Sequence, residues 1–261
     1  MSYLIDTHAH LDFPELYSKL DLIIENAKNQ NVLKIITIST NLNKIGKIIQ
    51  ISNDYDVVYF TVGVHPNEVL KDKDYENYSL ISDISNNLKC VGIGECGLDY
   101  HFGNEDKEKQ KLSFITQIKV SRDKKLPLII HSRDADEDMI DILQDEYKKG
   151  AFKAILHCFS SSKDLALCGL DLGFYISFSG IVTFKSAKLI QEIACIVPKD
   201  RILVETDAPY LAPTPFRGSV NEPKNCFYTA KFLSEIRNSD FNDFTNHLCM
   251  NSLRIFDKMS K

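Results

Sequence analysis

The sequence has no surplus of basic residues. Its 31 Lys and Arg stand against 36 Asp and Glu, for a formal net charge of −5. A broad cationic face that grips duplex DNA by phosphate neutralisation alone is therefore excluded. An enzyme that borrows its positive charge from bound metal is not. No stretch approaches about 18 apolar residues, and no basic segment leads into an apolar run at the N-terminus. Neither a membrane span nor a signal peptide is expected. There is also no Pro/Ser-rich linker and no block of like charge. The 261 residues, 44% of them hydrophobic, thus read as a single domain over 1–261 with one large core. Regular cysteine spacing is missing too. Cys90, Cys96, Cys158, Cys168, Cys195, Cys226 and Cys249 form an odd, scattered set without C-x-x-C. Such a set reads as reduced core thiols and predicts a cytoplasmic location. A dinucleotide fingerprint is matched only by letter count, at Gly92, Gly94 and Gly97. No acidic partner follows a second strand at about twenty residues, so it is discounted.

What the chain does have is a recurring short apolar run. YLID (3–6), KIITIST (34–40), VVYFTVG (57–63), KCVGIGE (89–95), LPLIIH (126–131), FKAILH (152–157), GFYISFSG (173–180) and RILVETD (201–207) are rich in Ile, Val, Leu, Phe and Tyr. Most are too continuous for half-exposed strands and suit strands buried on both faces. Helical spacing appears between them. Leu16, Leu20, Ile23, Ile24 and Ala27 mark one helix over 14–30, and others are expected over 107–125, 135–148, 185–196 and 225–237. The stretch 64–88 is weakly patterned and reads as loop with a short helix. Strand onsets roughly 20 to 35 residues apart are the spacing of βα units. The expected fold is α/β, a (β/α)8 TIM-type barrel; a doubly wound open sheet is the alternative.

Six of these runs end in, or just before, a group able to bind metal or substrate: His8 and His10, His65, Glu95, His131, His157 and Asp207. In a barrel the C-terminal strand ends open on one face, so residues far apart in sequence converge there. Residues i and i+2 of an extended chain point to the same side, roughly 6.5 Å apart. His8 and His10 can therefore reach one ion. Glu95 and Asp207 can supply oxygens, and Glu95, with two, can bridge to a second ion held by His131 and His157. Any one of these histidines alone is as well explained as a strand cap or a satisfied hydrogen-bond partner. The whole set at successive strand ends is not. A two-metal site would activate water near neutral pH and stabilise the attacking and leaving oxygens of a phosphoryl displacement. Asp207 is the natural general base or water-orienting group. Cys96 and Cys158 each follow a proposed ligand, and strand alternation makes them core cysteines.

DTHAHLD (6–12), GVHP (63–66), GECGLDY (94–100), HSRDA (131–135), LHCFS (156–160), YISFSGIVTFK (175–185), VETDAPYLAP (204–213) and FRGSVNEP (216–223) occur in that order. Together they resemble the motif series of the TatD family of metal-dependent deoxyribonucleases, within the amidohydrolase-like (β/α)8 barrels. The resemblance implies hydrolysis of DNA phosphodiester bonds, mostly as a 3′-to-5′ exonuclease, with single strands or 3′ ends favoured. It implies two divalent ions (Zn, Mn or Mg) on His8, His10, Glu95, His131, His157 and Asp207, the set already reached from strand ends. It puts His65 and Arg133 against the substrate. No obligate protein partner is implied. The chain departs from the family in the stretch 218–223, where Ser219 and Val220 replace the usual basic residues. Arg217, Lys185 and Lys224 are left as candidate phosphate contacts.

Two other readings compete. One keeps the metals and changes the substrate to a small-molecule amide, lactone or phosphoester. The other is an inactive barrel used as a binding module; the complete ligand set argues against it. Related barrels often bridge their metals with a carboxylated lysine, and Glu95 in the strand-four position favours the nuclease-like branch.

Overall fold

The runs of β-branched and aromatic residues become eight parallel strands in one sheet, ordered β1 to β8 as they occur in the chain. This is a computed structural model, and it describes residues 3–69, 77–101 and 106–260. The strands are β1 (Leu4–Ala9), β2 (Val32–Thr37), β3 (Val58–Val62), β4 (Cys90–Asp99), β5 (Leu128–Arg133), β6 (Ala154–Leu156), β7 (Tyr175–Phe178) and β8 (Ile202–Val204). A parallel bridge between Ala9 and Ala208 brings the last strand's end back to the first. The result is the expected (β/α)8 TIM barrel.

The helices are α1 (Pro14–Tyr17), α2 (Leu20–Asn29), α3 (Ile45–Asp54), α4 (Tyr78–Ile84), α5 (Lys107–Lys124), α6 (Asp136–Lys149), α7 (Lys163–Asp171), α8 (Lys188–Ile196), α9 (Cys226–Ile236) and α10 (Phe241–Ile255). The helix expected over 14–30 is two. Lys19 leaves helical geometry (φ −134°, ψ 24°), and its N–H closes the first piece on the Leu16 carbonyl. The sequence reading assigns nothing to α3, α7 or α10. In α10, weak helix formers such as Asn, Thr and Cys hide the pattern; the Asp240 side chain caps it on the N–H groups of Asn242 and Asp243. The short helix expected within 64–88 is α4, preceded by a 3₁₀ turn at Pro66–Glu68; residues 70–76 of that stretch lie outside the described residues.

Two apolar clusters hold the barrel. The larger lies between strands and helices, and includes Leu4, Phe60, Cys96, Phe114 and Phe178. The smaller fills the barrel interior with Ile5, Ile36, Val91, Ile129, Ile155, Tyr175 and Leu203. Ile255, Phe256 and Met259, from the end of α10 and the turn after it, join this interior cluster and stopper the barrel. Lys258 Nζ fastens the stopper by donating to the carbonyls of Ser85, Asn87 and Cys90 at 2.8–3.1 Å. Side chains of a strand alternate with period two. The residues two positions beyond Ile129, Ile155 and Leu203 are His131, His157 and Glu205, so the polar groups stand directly above the apolar fill.

Strand limits depart from expectation at functional positions: β1 runs on through His8 to Ala9, β5 runs past His131 to Arg133, and β4 and β8 differ as well. β4 does not end at Glu95. It continues, paired with β5, to Asp99 opposite Arg133, and its register shifts between Ile93 and Cys96. Glu95 is consequently a mid-strand residue. β8 is shorter than the 201–207 run, so Glu205, Thr206 and Asp207 lie beyond it. The glycines around Glu95 serve close approach rather than a dinucleotide. A Cβ on Gly63 would stand 2.4 Å from Gly94 Cα, and Gly97, at φ +140°, would put one 2.0 Å from the His131 carbonyl oxygen.

Candidate active site

The strand ends surround a cavity of about 790 Å³, lined among others by His10, His65, Glu95, His131, His157 and Asp207. That volume suits a small ligand or the end of a polymer. Glu95 is its centre. Oε1 lies 2.7 Å from His157 Nε2, 3.1 Å from His131 Nδ1 and 3.5 Å from His65 Nε2. Oε2 lies 3.3 Å from His8 Nε2 and 3.9 Å from His10 Nε2. Burial drives the Glu95 carboxyl up, but His157, His65, His8 and the bond from His131 outweigh it and hold it well below the usual carboxylate range.

Asp207 faces Glu95 across His8 and His10. Its Oδ1 is 3.4 Å from His10 Nε2 and 3.6 Å from His8 Nε2. Its own pKa is lowered, since the His10 bond and the charge of His8 overcome burial. The loop that presents it is tied down from below. Asp6 accepts from the Thr206 amide at 2.9 Å and from Thr206 Oγ1 at 2.6 Å. The Asp207 amide donates to the His8 carbonyl at 2.9 Å. The Asp6 carboxyl itself is pushed up to about 8 by burial, against those hydrogen bonds.

Each histidine is oriented by what its outer nitrogen meets. His157 Nδ1 lies 3.2 Å from Glu205 Oε1, which also accepts from the Cys158 amide at 2.7 Å. His131 Nε2 lies 3.1 Å from Asp99 Oδ2. Although burial works against it, the bond from His131 and those from the His101 amide and Asn67 lower Asp99 to about 2. An ionised Asp99 and a Glu205 that accepts from an amide each place an imidazole proton on the outer nitrogen. The inner nitrogens, His131 Nδ1 and His157 Nε2, carry protons as well and donate to Glu95, and, against burial, the flanking carboxylates raise both rings' pKa. An ion would have to displace those inner protons, after which the outer carboxylates would keep the lone pairs turned toward Glu95. His65 has the opposite tautomer. Its Nδ1 accepts from the Asn67 amide at 3.1 Å, which leaves the proton on Nε2, toward Glu95. Burial lowers its pKa to about 4, so the ring is neutral at neutral pH and offers an N–H rather than a lone pair.

Among the described residues, three groups bring ligand atoms within 4.8 Å of one another: His8–His10–Asp207, His8–His157–Glu205 and His65–Glu95–His131. His8 Nε2, 3.3 Å from Glu95 and 3.6 Å from Asp207, is buried without a hydrogen-bond partner among the described residues. An orphaned imidazole nitrogen between two carboxylates is what a divalent cation satisfies, so the donor set fits a metal. Nitrogen and carboxylate oxygen together suit Zn²⁺ or Mn²⁺, and Mg²⁺ less well.

Glu95, the other five expected ligands and His65 therefore meet in one place. Arg133 lies farther out, exposed on the cavity wall. Cys96 is a core thiol as expected, but Cys158 is not. At φ +43° it has left the strand, alternation no longer applies, and its Sγ sits on the cavity wall 3.1 Å from Ser179 Oγ. Asp6, Asp99 and Glu205 were missed. Each lies two or four residues from a ligand inside the same motif, which was the available signal. Of the candidate phosphate contacts, Lys224 is paired with Glu222 at 3.1 Å, Arg217 stacks over Phe184 at 4.1 Å and Lys185 is exposed. None of the three is among the residues that line the cavity.

The chain has relatives among known proteins. The profile of the family described as TatD related DNase matches residues 5–257. An uncharacterized metal-dependent hydrolase of Bacillus subtilis, YabD, is 38% identical over 253 residues, covering 97% of this chain and 98% of the relative. The Escherichia coli K12 hydrolase YcfH, also uncharacterized, is 36% identical, with 97% and 96% covered. The crystal structure of YJJV, a TatD homologue of E. coli K12, superposes with a TM-score of 0.89 at 27% identity, covering 97% of this chain and 98% of that one.

Proposed function

The chain belongs to the TatD related DNase family, and on that premise we propose that this metal-dependent hydrolase cleaves DNA phosphodiester bonds as a 3′-to-5′ exodeoxyribonuclease. Single strands and 3′ ends are the favoured substrates. The observation that carries the reading is Glu95, one carboxylate whose two oxygens face separate histidine sets on an open cavity. His8, His10 and Asp207 would hold one divalent ion, His131 and His157 a second, and Glu95 would serve both. Such ions, when bound, acidify water and draw charge from phosphoryl oxygens.

The chain's own side chains supply the rest. Asp207, ionised through neutral pH and reaching the cavity, accepts the proton of the attacking water. Asp99 and Glu205 fix the rings of His131 and His157, so no reorganisation is needed as charge develops. His65 offers its Nε2–H to a phosphate oxygen. Arg133 on the wall supplies a planar, permanently charged donor for the same group. A buried apolar floor beneath these residues keeps water from entering from below.

A second reading, hydrolysis of a small-molecule amide, lactone or phosphoester, draws support from one observation: Arg133 is the one Lys or Arg among the lining residues described. Digestion of end-labelled single-stranded DNA with Mg²⁺, Mn²⁺ or Zn²⁺, and then with chelator, separates the two. A metal-dependent ladder from the 3′ end is the expected result. No cleavage, with turnover of a generic ester or amide, would overturn the DNase reading.

A further inference from the structure

The VETDAPYLAP motif places Tyr210 three residues past Asp207, and the chemistry above leaves it unused. Its backbone is fixed on both sides. The Tyr210 amide donates to the Asp207 carbonyl at 2.9 Å, and its carbonyl accepts from Asn221 Nδ2 at 2.7 Å. The side chain is not covered: Tyr210 is 53% exposed, yet it lines the same cavity as the ligands. Phe13 lines the cavity beside it, 6.0 Å between ring centroids and at 80° to it. Phe13 in turn stacks on ligand His10 at 4.8 Å and 22°. The two rings form a right-angled aromatic corner at the cavity rim, braced through His10 on one side and the Asp207 loop on the other. A large aromatic left half in water beside a buried polar centre has surface to offer a ligand.

We infer that Tyr210 is a specificity residue that stacks on the base of the nucleotide whose phosphodiester is cut, with Phe13 closing the corner. The inference rests on the nucleic-acid reading and narrows it. A base within a duplex presents no free face, so this contact selects an unpaired terminal nucleotide. It would also explain how a chain with so few cations at the cavity holds a polyanion: part of the affinity moves from phosphate to π-surface, which is tolerant of base identity.

The test uses the metal-loaded protein and its Tyr210→Ala, Tyr210→Phe and Tyr210→Trp variants. Substrates are single-stranded oligonucleotides with an ordinary or an abasic 3′-terminal nucleotide. Stacking on a base is worth about 5- to 150-fold by alanine substitution. Tyr210→Ala should raise KM by that factor on the ordinary end, leave kcat near wild type, and change the abasic end by less than about twofold. Phe and Trp should retain tight binding. Equal losses on both ends would overturn the inference. Binding is read separately by fluorescence quenching of a 3′-terminal 2-aminopurine behind a phosphorothioate linkage. Quenching that requires an aromatic residue at 210, in a protein that cuts no DNA, would sink the DNase reading and leave the stacking site standing. Cleavage that Tyr210→Ala leaves unchanged would do the reverse. Absence of quenching in the wild-type protein would also overturn the stacking site.

Discussion

Replacing Asp207 by Asn separates holding a metal from moving a proton. The amide has the shape of the carboxylate and keeps an oxygen near His8 and His10, now at 3.6 and 3.4 Å. His8, His10 and Glu95 are untouched, and the Asp207 backbone stays bonded to the His8 carbonyl. Occupancy should therefore fall only partly and be restored by excess metal. The amide cannot accept a proton. General-base assistance is typically about 10²–10⁴-fold, which is about 3–5 kcal/mol of barrier. The assay is a pH–rate profile of wild type and variant at saturating metal, with metal content measured on the same samples. Since Asp207 lies below the ordinary carboxylate range, it is ionised throughout neutral pH, and the two profiles should run parallel between about pH 6 and 8, separated by at least about a hundredfold. A variant within about tenfold of wild type would remove Asp207 from proton transfer and leave it a ligand only.

Three further outcomes are expected. Glu95→Ala should abolish turnover and lower metal content at both positions while the fold persists by circular dichroism; a full complement with near-normal activity would end the bridging role. His65→Ala and Arg133→Ala should weaken substrate use by about tenfold or more without removing metal, in line with the loss of a charge-assisted hydrogen bond. Metal loss from the His65 variant, read by elemental analysis, would mean that its Nε2 is a ligand after all. In metal-free protein, Asp99→Asn should cost about 2 kcal/mol at neutral pH, from a folded pKa of about 2 against 3.8. A lowered carboxylate pKa stabilises above the unfolded value and ceases to as pH falls through the folded one. Urea titrations of wild type and variant should thus converge between about pH 4 and 2, and a constant difference across that window would refute the assignment.

The candidate ligand set was legible because its signals are local. His8 and His10 share a face by strand geometry alone, and His131 and His157 sit where apolar runs stop. Glu95 was legible as a residue but not as a position. Its run looks finished at Glu95 because Cys96, Gly97 and Leu98 do not continue the β-branched pattern, and only the pairing with β5 extends the strand to Asp99. Asp99 and Glu205 were harder, because each acts on a histidine from another strand. Which carboxylate meets which ring is decided by the register between β4 and β5 and by the path of the chain after β8. Cys158 was misread for a related reason, since alternation holds only while the backbone is extended. Helix α10 escaped because packing against the barrel, not propensity, makes it a helix.

The seam between the first and last strands has a consequence for how the protein comes into being. His8 and His10 leave the ribosome some two hundred residues before Asp207. The bonds that unite them, from the Asp207 amide to the His8 carbonyl and from the His10 amide to the Ala208 carbonyl, are themselves the closure of the ring. A nascent chain therefore carries its candidate ligands apart, and a fragment that stops short of Asp207 and Ala208 cannot make these bonds. An ion that settles on His8, His10 and Asp207 spans that seam like a clasp, favouring the sealed ring over every open form.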